Sequence, residues 1–217
     1  MKRSTARATL ALTVNATGLI VHAPWLLPVH HIERFVHEKA SWIAEKLACH
    51  AASHPAEASW QEGMPLWYLG ERVLLSVGAH IRHVRLDERV LYAPSLASAD
   101  LKNAVLAWYR GMALHYFNAR LVQFSAVLSR QPNSLKLSNA RTRWGSCTPD
   151  GVVRLNWRLI QATDAEIDYV LAHELAHLTH MDHSAAFWRE LVRIYPDYRA
   201  PHKLLQTQGH RYYQISL

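Results

Sequence analysis

Cysteine is nearly absent: Cys49 and Cys147 are the two in 217 residues. That is too few for a disulfide framework and suits a reducing cytosol. Cys147 has no C-x-x-C partner, so it does not read as a thiolate metal ligand. Long apolar runs are also missing. No stretch of ~18 or more apolar residues occurs, which argues against a membrane span. Half of the residues are nevertheless hydrophobic, enough for a sizeable core. No internal repeat and no low-complexity segment interrupts the chain.

Acidic residues are scarce in one region. Residues 101–160 hold nine Lys/Arg against a single acid, Asp150, and 9 − 1 = +8 exceeds the formal net charge of +7 for the whole chain. Residues 161–217 hold five basic and seven acidic residues. The basic stretch predicts either a polyanion-binding face, for nucleic acid or nucleotide phosphates, or a solvated helix face with some structural arginines. At the start, Lys2, Arg3 and Arg7 precede Ala8 to Val14 in faint imitation of a signal peptide. That apolar run is short and broken by Thr9 and Thr13, whereas Leu10, Leu12 and Val14 alternate as on a strand. The expectation is a cytoplasmic protein.

What is present centres on Thr163 to Trp188. His173-Glu174-Leu175-Ala176-His177 is an HExxH pattern. Residues four apart share a helix face, so two imidazoles can meet one ion. Glu174 is turned about 100° from His173 and can reach a water there as general base. The helix is signalled independently. Thr163-Asp164-Ala165-Glu166 is a capping box, and Ile167, Val170, Leu171, Leu175 and Leu178 recur at helical spacing, predicting a helix from Asp164 to about Thr179.

A tetrahedral catalytic zinc needs a third protein ligand. His183 stands at the spacing of the metzincin pattern, but His180 occupies the place of that pattern's glycine. The turn must therefore be made differently, by Thr179 to Asp182. His180 competes as a ligand, yet it sits about 10.5 Å from His173 along a straight helix. Glu190 competes as the carboxylate of a two-His, one-Glu site. His183 is the expected ligand. His22, His30, His31, His37, His50, His54 and His80 show no ligand spacing.

Taken in order, Leu10 to Val14 and Leu19 to Val21 flank Asn15 to Gly18 and predict a β-hairpin. A helix is expected from about Val29 to Ala48, then a loop from Ala51 to Gly63. Leu66 to Val77, turning at Gly70, reads as strand. Ile81 to Leu86 and Val90 to Tyr92 read as a further hairpin. A long helix from Leu101 to about Leu128 follows, capped by Ser98 or Asp100, with Leu101, Val105, Trp108, Met112, Tyr116, Leu121, Phe124 and Leu128 on its apolar side. Leu135 and Leu137 mark a strand. A hairpin turning at Thr148 to Gly151 leads into the HExxH helix. Ser184 can cap a helix to about Ile194, and Pro201 can open a last one to Gln206.

Several segments together resemble one family. Arg143-Trp144-Gly145-Ser146-Cys147, Arg154-Leu155-Asn156-Trp157, Tyr169-Val170 through HELAHL, and His183-Ser184 to Phe187-Trp188 are similar to the YgjP-like metallopeptidases, relatives of the SprT-like and gluzincin proteases. The resemblance extends upstream through Gly18 to Val21, Ala23-Pro24 and Trp42-Ile43. It implies Zn2+ on His173, His177 and His183, with Glu174 as base. It also implies an alternative, since some members carry a nucleotide pyrophosphatase label.

The fold expectation is α+β: an N-terminal, mostly antiparallel sheet with a helix over residues 1–95, then a helical zincin-type catalytic region with a β-hairpin over 96–217, packed as one compact unit. The functional expectation is a zinc metallopeptidase acting on a peptide or unfolded protein. A metal-dependent nucleotide pyrophosphohydrolase is the alternative, and a nucleic-acid-binding module the weaker one. Nucleotide chemistry usually recruits Mg²⁺ through carboxylates, whereas residues 173–183 offer mainly imidazoles. Tyr169, Tyr195, Tyr198, His180 and His202 all remain open as a second oxyanion donor. Arg143, Trp144 and Asn156 are candidate substrate-binding residues, with a buried network or ligand orientation as the other reading of Arg143 and Asn156. The strand edge near them could hold an extended peptide. Trp144 and Trp157 read as core or wall residues.

Overall fold

Thr163 ends an extended stretch and caps the helix that carries His173 and His177. In the computed structural model, which describes residues 1–5, 9–15, 18–41, 43–44 and 60–213, that helix runs Asp164–Ala176. The capping box is complete: the Thr163 side chain accepts from the Glu166 backbone N–H, and the Glu166 carboxylate accepts from the Thr163 backbone N–H. Most of this helix is buried, as its apolar residues on several faces require.

The chain forms two compact units, Met1–Ala58 and Ser59–Leu217. The first holds β1 (Lys2–Ser4), β2 (Ala11–Asn15) and β3 (Gly18–Pro24), in sheet order β1-β3-β2. β2 and β3 make the expected antiparallel hairpin, with Val14 opposite Leu19. β1 adds a parallel pair, Lys2 opposite His22. Helix α1 (Val29–Glu38) follows, with Ile32 buried. The expected extension of this helix to Ala48 lies largely outside the described residues, as does most of the loop expected from Ala51.

The second unit opens on β4 (Pro65–Tyr68), β5 (Glu71–Gly78), β6 (Arg85–Asp87) and β7 (Val90–Pro94), in sheet order β4-β5-β7-β6. The β6–β7 hairpin is antiparallel, but β5 and β7 pair in parallel. The N-terminal strands thus form two sheets. The expected boundary at residue 95 falls inside the second unit, because Leu66, Val73, Leu75 and Leu91 share one core with the helices that follow.

Helix α2 runs Ser98–Phe124 and a short 3-10 turn continues it through Ser125–Val127. Its N-cap is Ala97, without a side-chain hydrogen bond. Ser98 and Asp100 lie inside the first turn, where Asp100 faces the positive end of the helix dipole rather than capping it. The buried stripe is Leu101, Val105, Leu106, Tyr109, Ala113, Phe117 and Phe124. Trp108, Met112, Tyr116 and Leu121 flank it, half-buried. The stripe is displaced from the expected one by about one position, with Leu106, Tyr109, Ala113 and Phe117 buried in place of Trp108, Met112 and Tyr116. The Tyr109 hydroxyl donates to the Trp67 carbonyl at 2.7 Å and ties α2 to β4.

β8 (Ser134–Ser138), β9 (Gly145–Cys147) and β10 (Val152–Asn156) form the third sheet, in order β8-β10-β9. The expected β9–β10 hairpin is antiparallel, with Gly145 opposite Leu155. Gly151 closes its turn at φ +83°, in the left-handed region that favours glycine. β10 also pairs in parallel with β8. It is therefore the middle strand, and β9 is an edge. A 3-10 segment, Trp157–Gln161, connects β10 to the HExxH helix, hereafter α3. Trp157 is core.

Helix α4 covers Ala185–Ile194 and α5 covers Arg199–Gln208. Ser184 is the N-cap of α4 by position, without a side-chain bond. Pro201 falls in the first turn of α5, where its missing N–H costs nothing. The architecture is α+β, with five helices and three small sheets among the described residues. Among the described residues no helix is long and apolar enough to cross a membrane.

Candidate metal centre

The last turn of α3 decides the site. After Ala176 the helix tightens: the Leu178 N–H bonds the Leu175 carbonyl at 3.1 Å and the Thr179 N–H bonds the Ala176 carbonyl at 3.2 Å. These three-residue bonds shorten the exit. The loop then reverses toward His183 with no residue from Thr179 to Asp182 at positive φ. That is how the turn is made without the glycine. The Asp182 carboxylate accepts from the Ser184 N–H at 3.3 Å and starts α4.

The reversal brings His183 back onto His173 and His177. One nitrogen from each imidazole lies within 4.8 Å of the others. His173 Nε2 and His183 Nε2 are 3.2 Å apart. Two ligands at ~2.0–2.1 Å from a tetrahedral ion are separated by about 3.3–3.4 Å. The pair therefore already stands at ligand spacing. His177 lends its Nδ1 to the His180 carbonyl at 2.9 Å, which leaves Nε2 for the cluster. The buried Nδ1 of His173 has no hydrogen-bond partner among the described residues. Three convergent imidazoles are a donor set that zinc accepts well. The residues present fit such an ion.

His180 contributes its backbone rather than its ring. Glu190 is engaged elsewhere: Arg193 donates to both its carboxylate oxygens, at 2.9 and 2.6 Å. Neither belongs to the cluster.

Phe187 makes the floor. It is fully buried, and its ring centroid lies 4.9, 4.5 and 4.7 Å from those of His173, His177 and His183. Its place on the apolar side of α4 was legible, but its contact with all three imidazoles was not. The available signal was its position four residues after His183.

Burial shapes the electrostatics. It pushes His173 down to about 4, with His177 and His183 adding to the effect, and also lowers His177. Burial thus favours the neutral rings that metal ligation requires. Glu174 is 6 % exposed, and burial pushes its carboxyl up to about 8 against the opposing pull of Arg143. A cation at the histidine cluster would favour its ionised form.

A cavity of about 290 Å³ opens beside Glu174 and His173. Arg143, Trp144 and Gly145 from the β9 stretch line it, together with Tyr169 of α3 and His202 and Gln206 of α5. Trp144 packs against Tyr212 and Tyr213, at 6.0 and 4.6 Å between centroids. Asn156 does not reach the cavity. It is fully buried, and its amide donates to the carbonyls of Ala140 and Arg143, at 2.6 and 3.3 Å. In this structure it holds the stretch that leads into β9.

Of the five oxyanion candidates, Tyr169 and His202 line the cavity, their rings stacked at 4.9 Å. Tyr195 packs on Phe124. Tyr198 stands behind Tyr169 and Trp188. Several arginines of the basic stretch are structural. Arg120 pairs with Asp168, and Arg130 donates to the Leu178 and Pro149 carbonyls. Arg158 is buried, and that burial lowers it to about 10.

A helix with two converging imidazoles, a third returned by a tight loop and a buried glutamate against an edge strand defines a metallopeptidase-like hydrolase. The chain belongs to the YgjP-like metallopeptidase domain family, whose description it matches over residues 8–208. Among solved structures it is similar to the crystal structure of the metallopeptidase zymogen of Pyrococcus abyssi abylysin, with 23% identity and a TM-score of 0.38 over 43% of this chain and 95% of that one. No protein of curated function matches.

Proposed function

We propose that this chain hydrolyses peptide bonds, with zinc held by His173, His177 and His183 and with Glu174 as general base. The observation that carries the reading is the 3.2 Å approach of His173 Nε2 to His183 Nε2 beside a buried Glu174. Zinc bound there would lower the pKa of a water from 15.7 to about 7 and polarise the scissile carbonyl. Glu174 accepts the proton of the attacking water and returns it to the leaving nitrogen. Tyr169 and His202 stand where a donor could meet the developing oxyanion. The place of β9 at the sheet edge, unpaired on its outer side among the described residues, supports an extended peptide lying beside the cavity, paired through its backbone.

The test measures zinc by elemental analysis on the wild type and on His183→Ala, with cleavage of an unfolded protein assayed on the same samples. We expect about one zinc per wild-type chain, its loss in the variant, and cleavage that a chelator stops and zinc restores. Glu174→Gln should keep the zinc and lose ~10²–10⁴-fold in rate. A zinc-loaded protein that hydrolyses nucleoside triphosphates but no polypeptide would overturn the assignment.

A further inference from the structure

One arginine lines the cavity beside the histidines, and no side chain among the described residues pairs with it directly. Arg143 is held through its backbone: its carbonyl accepts from Asn156 Nδ2 at 3.3 Å and from the Tyr213 hydroxyl at 3.5 Å. Its exposed guanidinium has no hydrogen-bond or ion-pair partner among the described residues, although it lines the cavity. Arginines elsewhere in the unit are engaged. Arg120 meets a carboxylate, Arg130 two carbonyls and Arg193 both oxygens of Glu190.

Glu174, the one carboxylate lining the cavity, feels the Arg143 charge but makes no ion pair or hydrogen bond with it among the described residues, and it is taken up by the reaction proposed above. Gln206 Nε2 and His202 Nε2 lie 2.8 Å apart and satisfy each other, so the amide donates to the ring. A guanidinium offers five donors in a planar fork, which matches a carboxylate in two parallel bonds. Trp144 and Tyr169 supply apolar walls to the cavity, and low-dielectric walls strengthen a charge pair. The volume, about 290 Å³, sits at the lower end of ligand pockets. It suits one residue of a chain rather than a large ligand.

We propose that Arg143 anchors a substrate carboxylate, so that the cavity takes peptides presenting an aspartate or glutamate side chain, or a free C-terminal carboxylate, in preference to neutral or basic ones. The inference rests on the peptidase reading in taking a peptide as the occupant. Arg143 is then a specificity residue, not a group that moves protons.

The test uses the zinc-loaded, full-length Glu174→Gln protein, which binds without turning over. Fluorescent peptides identical except for Glu, Gln or Lys, scanned position by position, are compared by anisotropy with free and with amidated C-termini. At one position, or at the terminus, the carboxylate form should bind about tenfold or more tightly than the lysine or amidated form. Adding Arg143→Glu should reverse that order, and Arg143→Lys should keep part of it. The free-versus-amidated comparison assigns the preference to side chain or terminus. Equal binding of all forms, an order unchanged by Arg143→Glu, or no peptide binding overturns the proposal. Cleavage by the parent protein is read separately. Cleavage without an acidic preference sinks the anchor alone. An acidic preference in binding without any cleavage sinks the peptidase reading and leaves the anchor standing.

Discussion

Gly145 lies directly on Glu174. A Cβ added at residue 145 would stand 2.5 Å from Glu174 Oε1 and 2.6 Å from its Cγ. The edge strand β9 and the glutamate of α3 are therefore fitted to each other. Any side chain at 145 would push the carboxylate from its place.

Gly145→Ala should leave the fold and the zinc in place and displace Glu174. A shift of about 1 Å in a reacting group costs on the order of 10²-fold. The check is kcat on an unfolded-protein substrate together with zinc content. A variant as fast as wild type would mean that Glu174 does not act from this position.

Phe187→Ala should strike both stability and metal. Truncating a fully buried phenylalanine costs about 3–5 kcal/mol. Loosening the three imidazoles it supports should weaken zinc by about 10–100-fold, the usual effect of losing a ligand's support. Urea unfolding with and without chelator measures the first, and competition with a chromophoric chelator the second. Unchanged zinc affinity in the folded variant would show that the histidines hold themselves.

Arg120 bridges α2 to α3 through both oxygens of Asp168, whose side chain is 8 % exposed. Arg120→Met would leave that carboxylate buried and unpaired, at a cost of about 2–4 kcal/mol. Arg120→Met combined with Asp168→Leu should recover most of the loss, because the pair is then replaced by apolar contact. Denaturant midpoints decide. A double variant as unstable as the single one would show that the charges themselves are needed.

Burial, with the Glu174 charge adding to it, pushes the Cys147 thiol up to about 11. The thiolate is the reactive form, so about 0.1% is reactive at pH 8. In a Cys49→Ser background, alkylation by iodoacetamide should be slow at pH 8, rise about tenfold per pH unit and level off above about pH 11. Mass spectrometry follows it. Fast, complete labelling near neutral pH would contradict a thiol raised in this way.

The HExxH helix was readable because every signal for it is local. Thr163 and Glu166 bind each other across one turn, and His173 and His177 are neighbours by helical geometry. The β9–β10 hairpin was readable from Asp150-Gly151 and the alternation of Val153 and Leu155. β1 was not, because Lys2-Arg3-Ser4 has no apolar alternation and is held by a parallel strand about twenty residues away. The parallel pairs β5–β7 and β8–β10 were hidden for the same reason: their partners are set by crossovers that leave no periodic trace.

The chain's own pattern thus determined that His173 and His177 share a helix face with Glu174 beside them, and it pointed to the α+β class, since these depend on short-range spacings. His183 was expected from spacing alone, and the tightened turn from Leu178 to His180 shows how it returns. Only the tertiary structure decided the rest. It put Gly145 against Glu174 and Phe187 beneath three rings, tied Glu190 to Arg193, buried Asn156 and left Arg143 facing a cavity. Those relations join residues from separate elements, and packing in three dimensions sets them where sequence separation carries no information.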